Sequence, residues 1–344
     1  MRPTTKDLAK AAGVSLATVD RVLNDRPGVR PGTVEAVTAA INRIGFQRNR
    51  LAATLARQKG YCFGFVLPGA GDEFLEMILE RIAEFDQASR VDMTEIRVVR
   101  IDDHDPHQAA RTLSDLSADM FDGVAIMASE TPQIRDALHR MRERGIRTVS
   151  FISDQQEADH QPFVGIDNRA AGATAGRLMA RFLGSDQDSP QGLVLVLTDS
   201  MQSRDSLERR LGFDTVICGD YPNLTVLPTL ETHGDAERTA RVLQNALDAH
   251  SDIVGLYLMG PEARRAIEAV QTMRRAEDLV VIAHERTPST EAALRAGVID
   301  VVINQDPGHL VRSAVRTLRA QCENRQTLAS QERIRIEILI AENL

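Results

Sequence analysis

From Tyr61 onward the chain alternates short apolar runs with helix-patterned stretches, and that alternation leaves few architectures open. Eight runs read as strands, among them Cys62–Pro68, Ile96–Ile101, Arg147–Ile152, Leu193–Leu197, Val280–His284 and Val301–Asn304. Helical patterns separate them, for example Phe74–Ala88, Ala170–Phe182 and Glu208–Cys218. Strand, helix, strand in series builds a doubly wound parallel sheet. Two similar halves, 61–160 and 163–288, predict two lobes. Return crossings near 289 and 320 would give a first lobe of 61–160 plus 289–320 and a second of 163–288 plus 321–344. The strict alternation of Ile334 to Ile338 predicts a late edge strand with one wet face.

Charge divides the chain at about the same place. The net charge is −8, yet residues 1–60 hold eleven Lys and Arg against four Asp and Glu. The first sixty residues therefore carry +7 and the remainder −15. A basic head on an acidic body confines phosphate affinity to the head. Three well-separated cysteines, Cys62, Cys218 and Cys322, read as reduced thiols. No apolar run is long enough to span a membrane, and the first residues lack the apolar core of a secretory signal. A cytoplasmic protein is expected.

The head reads as three helices. Thr5 can cap a helix from Lys6 to Ala12, which Gly13 ends. Ser15 can cap a second helix from Leu16 to Leu23, and Pro31 opens a third that runs to Ile44 with Val34, Val37, Ile41 and Ile44 inward. Two short helices joined through a glycine turn make the helix-turn-helix pattern, whose second helix enters the DNA major groove.

The run Lys6-Asp7-Leu8-Ala9-Lys10-Ala11-Ala12-Gly13-Val14-Ser15, followed by Thr18-Val19-Asp20-Arg21-Val22-Leu23-Asn24, resembles the LacI/GalR family of bacterial repressors. Thr33, Ile44-Gly45-Phe46, Asn49 and Ala52 through Leu55 continue the likeness. The resemblance implies a helix-turn-helix domain at 1–46, a hinge helix at 47–60 and an effector-binding, dimerising domain at 61–344. It implies base reading by Leu16, Ala17 and Arg21, and phosphate contacts by Thr5, Ser15, Thr18 and Asn24. Asn49 and Leu55 fall on the hinge, where the family's leucine wedges into a minor-groove base step. Asp20 stands where the family usually has Ser.

The fold class expected is α/β: an all-α helix-turn-helix head plus a two-lobed, doubly wound parallel-sheet sensor. Open α/β sheets bind ligands beyond the C-terminal ends of their strands. Asp72, Phe74, Asp154, Asp167, Arg204, Glu285 and Gln305 all follow strand-like runs. They offer many acceptors, few donors and one stacking face, which suits a polyhydroxylated, weakly charged ligand. Asp167 can equally cap the helix that starts at Asn168, and Arg204 with Glu208 can be an ion pair. The body resembles the ribose-binding branch of the periplasmic binding proteins, which implies sugar contacts at Phe74, Asp154, Arg204, Glu285 and Gln305. Leu258 stands where that branch usually has Asn.

Asp102-Asp103-His104-Asp105-Pro106-His107 could suggest a metal, but Asp105 before Pro106 reads as a helix cap. Gly69-Ala70-Gly71 lacks the third glycine of a dinucleotide loop, and no hydrolase, zincin or P-loop motif is present. Neither cofactor, metal nor enzymatic activity is expected. The expected partners are near-palindromic operator DNA, a sugar or polyol effector and a second copy of the chain. The rival readings are a plain solute-binding protein and a sugar-modifying enzyme. Arg21→Ala is expected to cost about 1–3 kcal/mol on the specific operator and to flatten sequence preference in competition gel shifts. An equal loss on all DNA would make Arg21 a phosphate contact instead.

Overall fold

In the computed structural model the described residues are 3–23, 28–46, 60–103, 105–155, 162–184, 190–272 and 278–344. The head contains α1 (Thr5–Ala12), α2 (Leu16–Leu23) and α3 (Pro31–Ile44). The cap of α1 is Thr4, not Thr5. Asp7 decides between the two hydroxyls. Thr4 N–H donates to Asp7 Oδ2 at 2.8 Å, and Asp7 N–H donates back to Thr4 Oγ1 at 3.3 Å. Gly13 follows with φ 68°, the left-handed turn that releases the chain into α2. Ser15 accepts from Thr18 N–H at 3.1 Å, as a cap should. Leu8, Val19, Val37, Ala40 and Phe46 form the head's core. Val34, expected inward, is 38% exposed, and Ala40 fills the buried stripe of α3 with Val37.

The first lobe holds β1 (Tyr61–Pro68), β2 (Thr94–Ile101), β3 (Gly123–Ile126), β4 (Arg147–Phe151) and β5 (Phe163–Val164). They form one parallel sheet in the order β2-β1-β3-β4-β5. Its helices are α4 (Glu73–Ser89), α5 (Pro106–Asp115) and α6 (Pro132–Glu143). Asp105 caps α5, as the sequence suggested, by accepting from His107 N–H at 3.0 Å. Asp103, from the same loop, is occupied by Ser129.

The second lobe opens with α7 (Asn168–Leu183), β6 (Gly192–Thr198) and α8 (Arg204–Asp220). It continues through β7 (Leu224–Val226), β8 (Leu230–Glu231), α9 (Ala236–Ala249), β9 (Ile253–Leu258) and α10 (Arg264–Gln271). β10 (Val280–His284), α11 (Pro288–Arg295) and β11 (Val301–Asn304) follow, and β12 (Glu337–Leu339) closes the sheet. The order is β12-β11-β10-β9-β6-β7, with β8 beside β6 and only β12 antiparallel.

The crossings differ from those expected near 289 and 320. β11 pairs with β10, so 289–304 belongs to the second lobe. The chain returns only at 305–306, where α12 (Pro307–Cys322) lies on the first lobe's sheet. There Gln321 donates to the Thr148 carbonyl, and the Arg319 guanidinium reaches Thr94 and lies over the Tyr61 ring. After the short helix α13 (Ala329–Glu332) the chain enters β12. Alternation shows that a segment is a strand but not which sheet it joins, because both lobes offer the same kind of edge. The edge strand also begins later than expected. Ile334 packs into the large core before pairing starts, leaving Leu339 inward and Ile338 43% exposed.

Helices α7 and α8 are pressed together through glycines. A Cβ on Gly172 would meet the Arg209 carbonyl, and one on Gly212 would meet the Arg169 carbonyl. Backbone cannot yield there as a side-chain tip can. Gly212→Ala is therefore expected to lower stability by about 1–3 kcal/mol in chemical denaturation. Gly219→Ala on the same helix, with open space around it, is expected to be neutral or slightly stabilising.

Candidate functional site

The head presents one chemically coherent surface. Ser15, Leu16, Ala17 and Arg21 are exposed on α2, and Thr18 is half-buried. Thr18 and Ser15 hydroxyls lie 2.8 Å apart. A concave notch of about 310 Å³ forms where α2 meets the start of α3. Ser15, Thr18, Arg21, Arg30 and Thr33 line it. Hydroxyls beside two guanidiniums suit phosphate oxygens. Arg30 was not singled out in the sequence. Thr5 lies exposed in the first turn of α1, away from this notch's lining. Asn24, Asn49 and Leu55, with the hinge at 47–59, fall outside the described residues.

The second surface lies between the lobes, at the C-terminal ends of the parallel strands. Its centre is a buried ion pair. Arg209, 2% exposed on α8, donates through Nη2 to Glu285 Oε1 at 3.1 Å. Its Nε reaches Asn168 Oδ1 at 2.8 Å and its Nη1 the Met259 carbonyl at 3.0 Å. Gln305 Nε2 donates to the same Glu285 oxygen at 3.0 Å. Glu285 and Gln305, both expected at the site, are thus brought together. Arg209 was not singled out in the sequence, where Glu208–Cys218 reads only as a helical pattern. Ser206, Arg209, Phe213 and Ile217 form the buried stripe of α8, which the sequence pattern does not mark, and a cation on such a stripe needs a partner.

Backbone strain marks the same strand ends. Glu285 has φ 63° just after β10, and Ile152 has φ 64° just after β4. A residue bearing a Cβ adopts that conformation only when the surroundings impose it. Here each residue's N–H is fixed to a neighbouring strand, Glu285 to Ile303 and Ile152 to Val164.

Among the described residues, polar links cross from lobe to lobe at three places. Arg204 on α8 reaches Glu130 at 3.3 Å while also pairing with Glu208 at 2.9 Å. The Ser153 hydroxyl donates to Asp205 at 3.3 Å. Ser289 donates its hydroxyl at 2.7 Å and its N–H at 3.2 Å to Glu73. Burial would raise the Glu73 carboxyl, but hydrogen bonds from Ser289 and Thr287 and the nearby Arg264 charge together hold it low. Asp154, beside Arg204, is raised by burial against the pull of that guanidinium. Asp72 caps α4 by accepting from Leu75 N–H at 2.9 Å, and burial raises its carboxyl too. Asp167 caps α7, accepting from Ala170 N–H at 2.9 Å. Both it and Asp154 line a groove of about 1010 Å³ along the crossings, with Phe163 and Glu208. Phe74 is 2% exposed and packs in the core, so it offers no open stacking face. Among the described residues no group of three or more His, Cys, Asp and Glu could hold a metal ion, and no helix is long and apolar enough to cross a membrane.

Residues 63–326 match the periplasmic binding protein domain, and residues 4–49 match the lacI family of bacterial regulatory proteins. The chain belongs to the periplasmic binding protein domain family and carries a lacI-family head. It is 29% identical over 180 residues to catabolite control protein A of Streptococcus mutans, covering 52% of this chain and 51% of that protein. It is 32% identical over 197 residues to the HTH-type transcriptional regulator RegA of Clostridium saccharobutylicum, covering 55% and 57%. The chain thus spans about half the length of the curated relatives it matches. A solute-binding protein of an ABC transporter from Burkholderia graminis, solved with D-arabinose, shares the body's fold with a TM-score of 0.73 at 22% identity. That likeness covers 83% of this chain and 96% of the other. Within this binding-protein frame, the residues after β10 and β11 occupy the crevice where open sheets take their ligands.

Burial pushes Glu285 up to about 7, against the pull of Arg209. An unfolded glutamate releases its proton near 4.5, so between there and about 7 the folded chain alone retains it. Stability from this group is therefore present at low pH, falls as pH rises through that window, and is level above it. Glu285→Gln has no such proton to lose. Its melting temperature is expected to decline less than that of the parent between pH 4.5 and 7. Parallel profiles would show that Glu285 keeps its charge when folded.

Proposed function

We propose that this chain is a sequence-specific DNA-binding transcription regulator, a repressor of genes for sugar or polyol uptake and catabolism. The observation that carries the reading is a lacI-family head, with a hydroxyl-and-guanidinium notch beside its exposed recognition helix, joined to a two-lobed binding-protein body. A plain solute-binding protein has no use for the head. The effector sits in the crevice between the lobes, and the D-arabinose held by a protein of similar fold favours a monosaccharide-sized molecule.

The acting form is a cytoplasmic homodimer on a near-palindromic operator, two heads matching two half-sites. Base reading falls to Arg21, with Leu16 and Ala17 giving apolar contacts such as those with thymine methyls. Ser15, Thr18, Arg30 and Thr33 fix the register on phosphates, joined by Thr5 and Asn24. On the hinge, Asn49 flanks a minor-groove wedge formed by Leu55. Asp72, Asp154, Asp167, Arg204, Glu285 and Gln305 serve the effector, and Phe74 supports them from the core.

Switching follows from the three lobe-crossing links. An effector that binds one lobe arrangement better than the other shifts the population toward it, and operator affinity changes with it. Gel shifts of the full chain with candidate operators, with and without monosaccharides and polyols, test the reading. A complete lack of specific shift would overturn it. Arg204→Ala removes the link to Glu130 and a site guanidinium together. It is expected to weaken effector binding about tenfold or more in calorimetry, yet to leave operator binding without effector within about twofold. Equal loss of both would place Arg204 in the fold, not in the switch.

A further inference from the structure

The second lobe ends its strands in a row of acceptors. In sheet order, β11, β10, β9 and β6 are neighbours, and their C-terminal ends lead to Gln305, Glu285, Glu262 and Asp199. Asp72 opposes this row from the first lobe, close enough for its charge to act on Asp199, Glu262 and Glu285 alike. Neither Asp199 nor Glu262 was expected from the sequence as a binding residue. Asp199 takes a hydrogen bond from the Thr232 hydroxyl at 3.0 Å.

Three buried oxygens in the row have no hydrogen-bond partner among the described residues: Gln305 Oε1, Glu285 Oε2 and Glu262 Oε1. Gln305 and Glu285 are each only 1% exposed, so these atoms are removed from bulk water and still unmatched. Gln305 Oε1 is an acceptor, and the two carboxyl oxygens accept in their ionised form. The nearby donors are largely committed, apart from Arg264 Nε, which is buried without a hydrogen-bond partner among the described residues. Arg209 spends its three nitrogens on Asn168, Met259 and Glu285, and Arg204 turns to Glu130 and Glu208. Arg264 stands 3.7 Å from Glu262, too far for a hydrogen bond. Four carboxyls, those of Asp72, Asp199, Glu262 and Glu285, thus stand against three guanidiniums whose charge reaches them, those of Arg209, Arg264 and Arg265.

A neutral sugar would satisfy the orphaned acceptors with hydroxyls but leave the excess charge in place. A protonated amine brings three donors and the missing positive charge. We propose that the effector is an amino-bearing polyol or sugar, its ammonium between Asp72, Asp199 and Glu262 and its hydroxyls donating to Glu285 Oε2 and Gln305 Oε1. This rests on the effector-crevice reading above and narrows it, since the sequence alone pointed to a weakly charged ligand.

Calorimetry on the full chain at neutral pH compares matched probes: 1-amino-1-deoxy-D-sorbitol against D-sorbitol, and D-glucosamine and D-galactosamine against D-glucose and D-galactose. At least one amine is expected to bind about tenfold or more tightly than its neutral parent. Asp199→Asn, and separately Glu262→Gln at the less buried edge of the row, are expected to reduce that preference to below about threefold with unchanged far-ultraviolet circular dichroism. A neutral parent that binds as tightly as its amine overturns the proposal, as does a preference that survives both substitutions or a failure of every amine to bind. Gel shifts on the same samples keep the two readings apart. A neutral sugar that alters operator binding leaves the regulator reading standing while this one falls.

Discussion

The geometry of the crevice depends on one buried guanidinium. Arg209 ties the start of α7, the end of β9 and the end of β10 to a single planar group. A buried charge without a partner is far more costly than a paired one, so each of these attachments is enforced by the other two. Asn168 begins the helix that follows the first crossing between lobes, while Glu285 lies at the crevice. One side chain thus joins the segment that crosses between the lobes to the strand ends that line the crevice.

Around that anchor the structure combines rigid and adjustable parts. Tyr257 stacks on Phe213 and its hydroxyl lies 2.7 Å from His284 Nε2, closing the floor beneath Glu285. Burial there keeps the imidazole neutral and raises the phenol. By contrast, the links between lobes are a few hydrogen bonds and a partly exposed ion pair. Contacts of that kind are each worth roughly 1 kcal/mol, small enough for ligand binding to rebalance.

Much of the fold was legible in the sequence, and the gaps have physical reasons. Glycines, prolines and acidic caps marked most element ends, because those residues act through local backbone geometry. Asp105 and Asp167 show this, each capping the helix that its position announced. The capping threonine of α1 was misplaced by one residue because either hydroxyl could start the same helix, and only the partner Asp7 distinguished them. Short strands such as β7 and β8 carry too little pattern to be seen. Lobe membership was the larger gap, since it is set by tertiary pairing. At the site, position after a strand located Glu285 and Gln305; Asp199 follows a strand-like run too but was not singled out, and Glu262 and Arg209 lie farther along the chain. Their roles depend on which strands are neighbours and on which side of a helix is covered.

The late return of α12 bears on how the molecule is made. The first lobe's strands are complete by Val164, yet the helix that covers one face of their sheet is supplied by 307–322. A chain emerging from the ribosome therefore carries an open, apolar sheet surface while the whole second lobe is synthesised. Neither lobe can finish as an independent unit, and long-range closure of this kind slows folding. The covalent interleaving that joins the two lobes also leaves that surface uncovered until the last part of the chain is made.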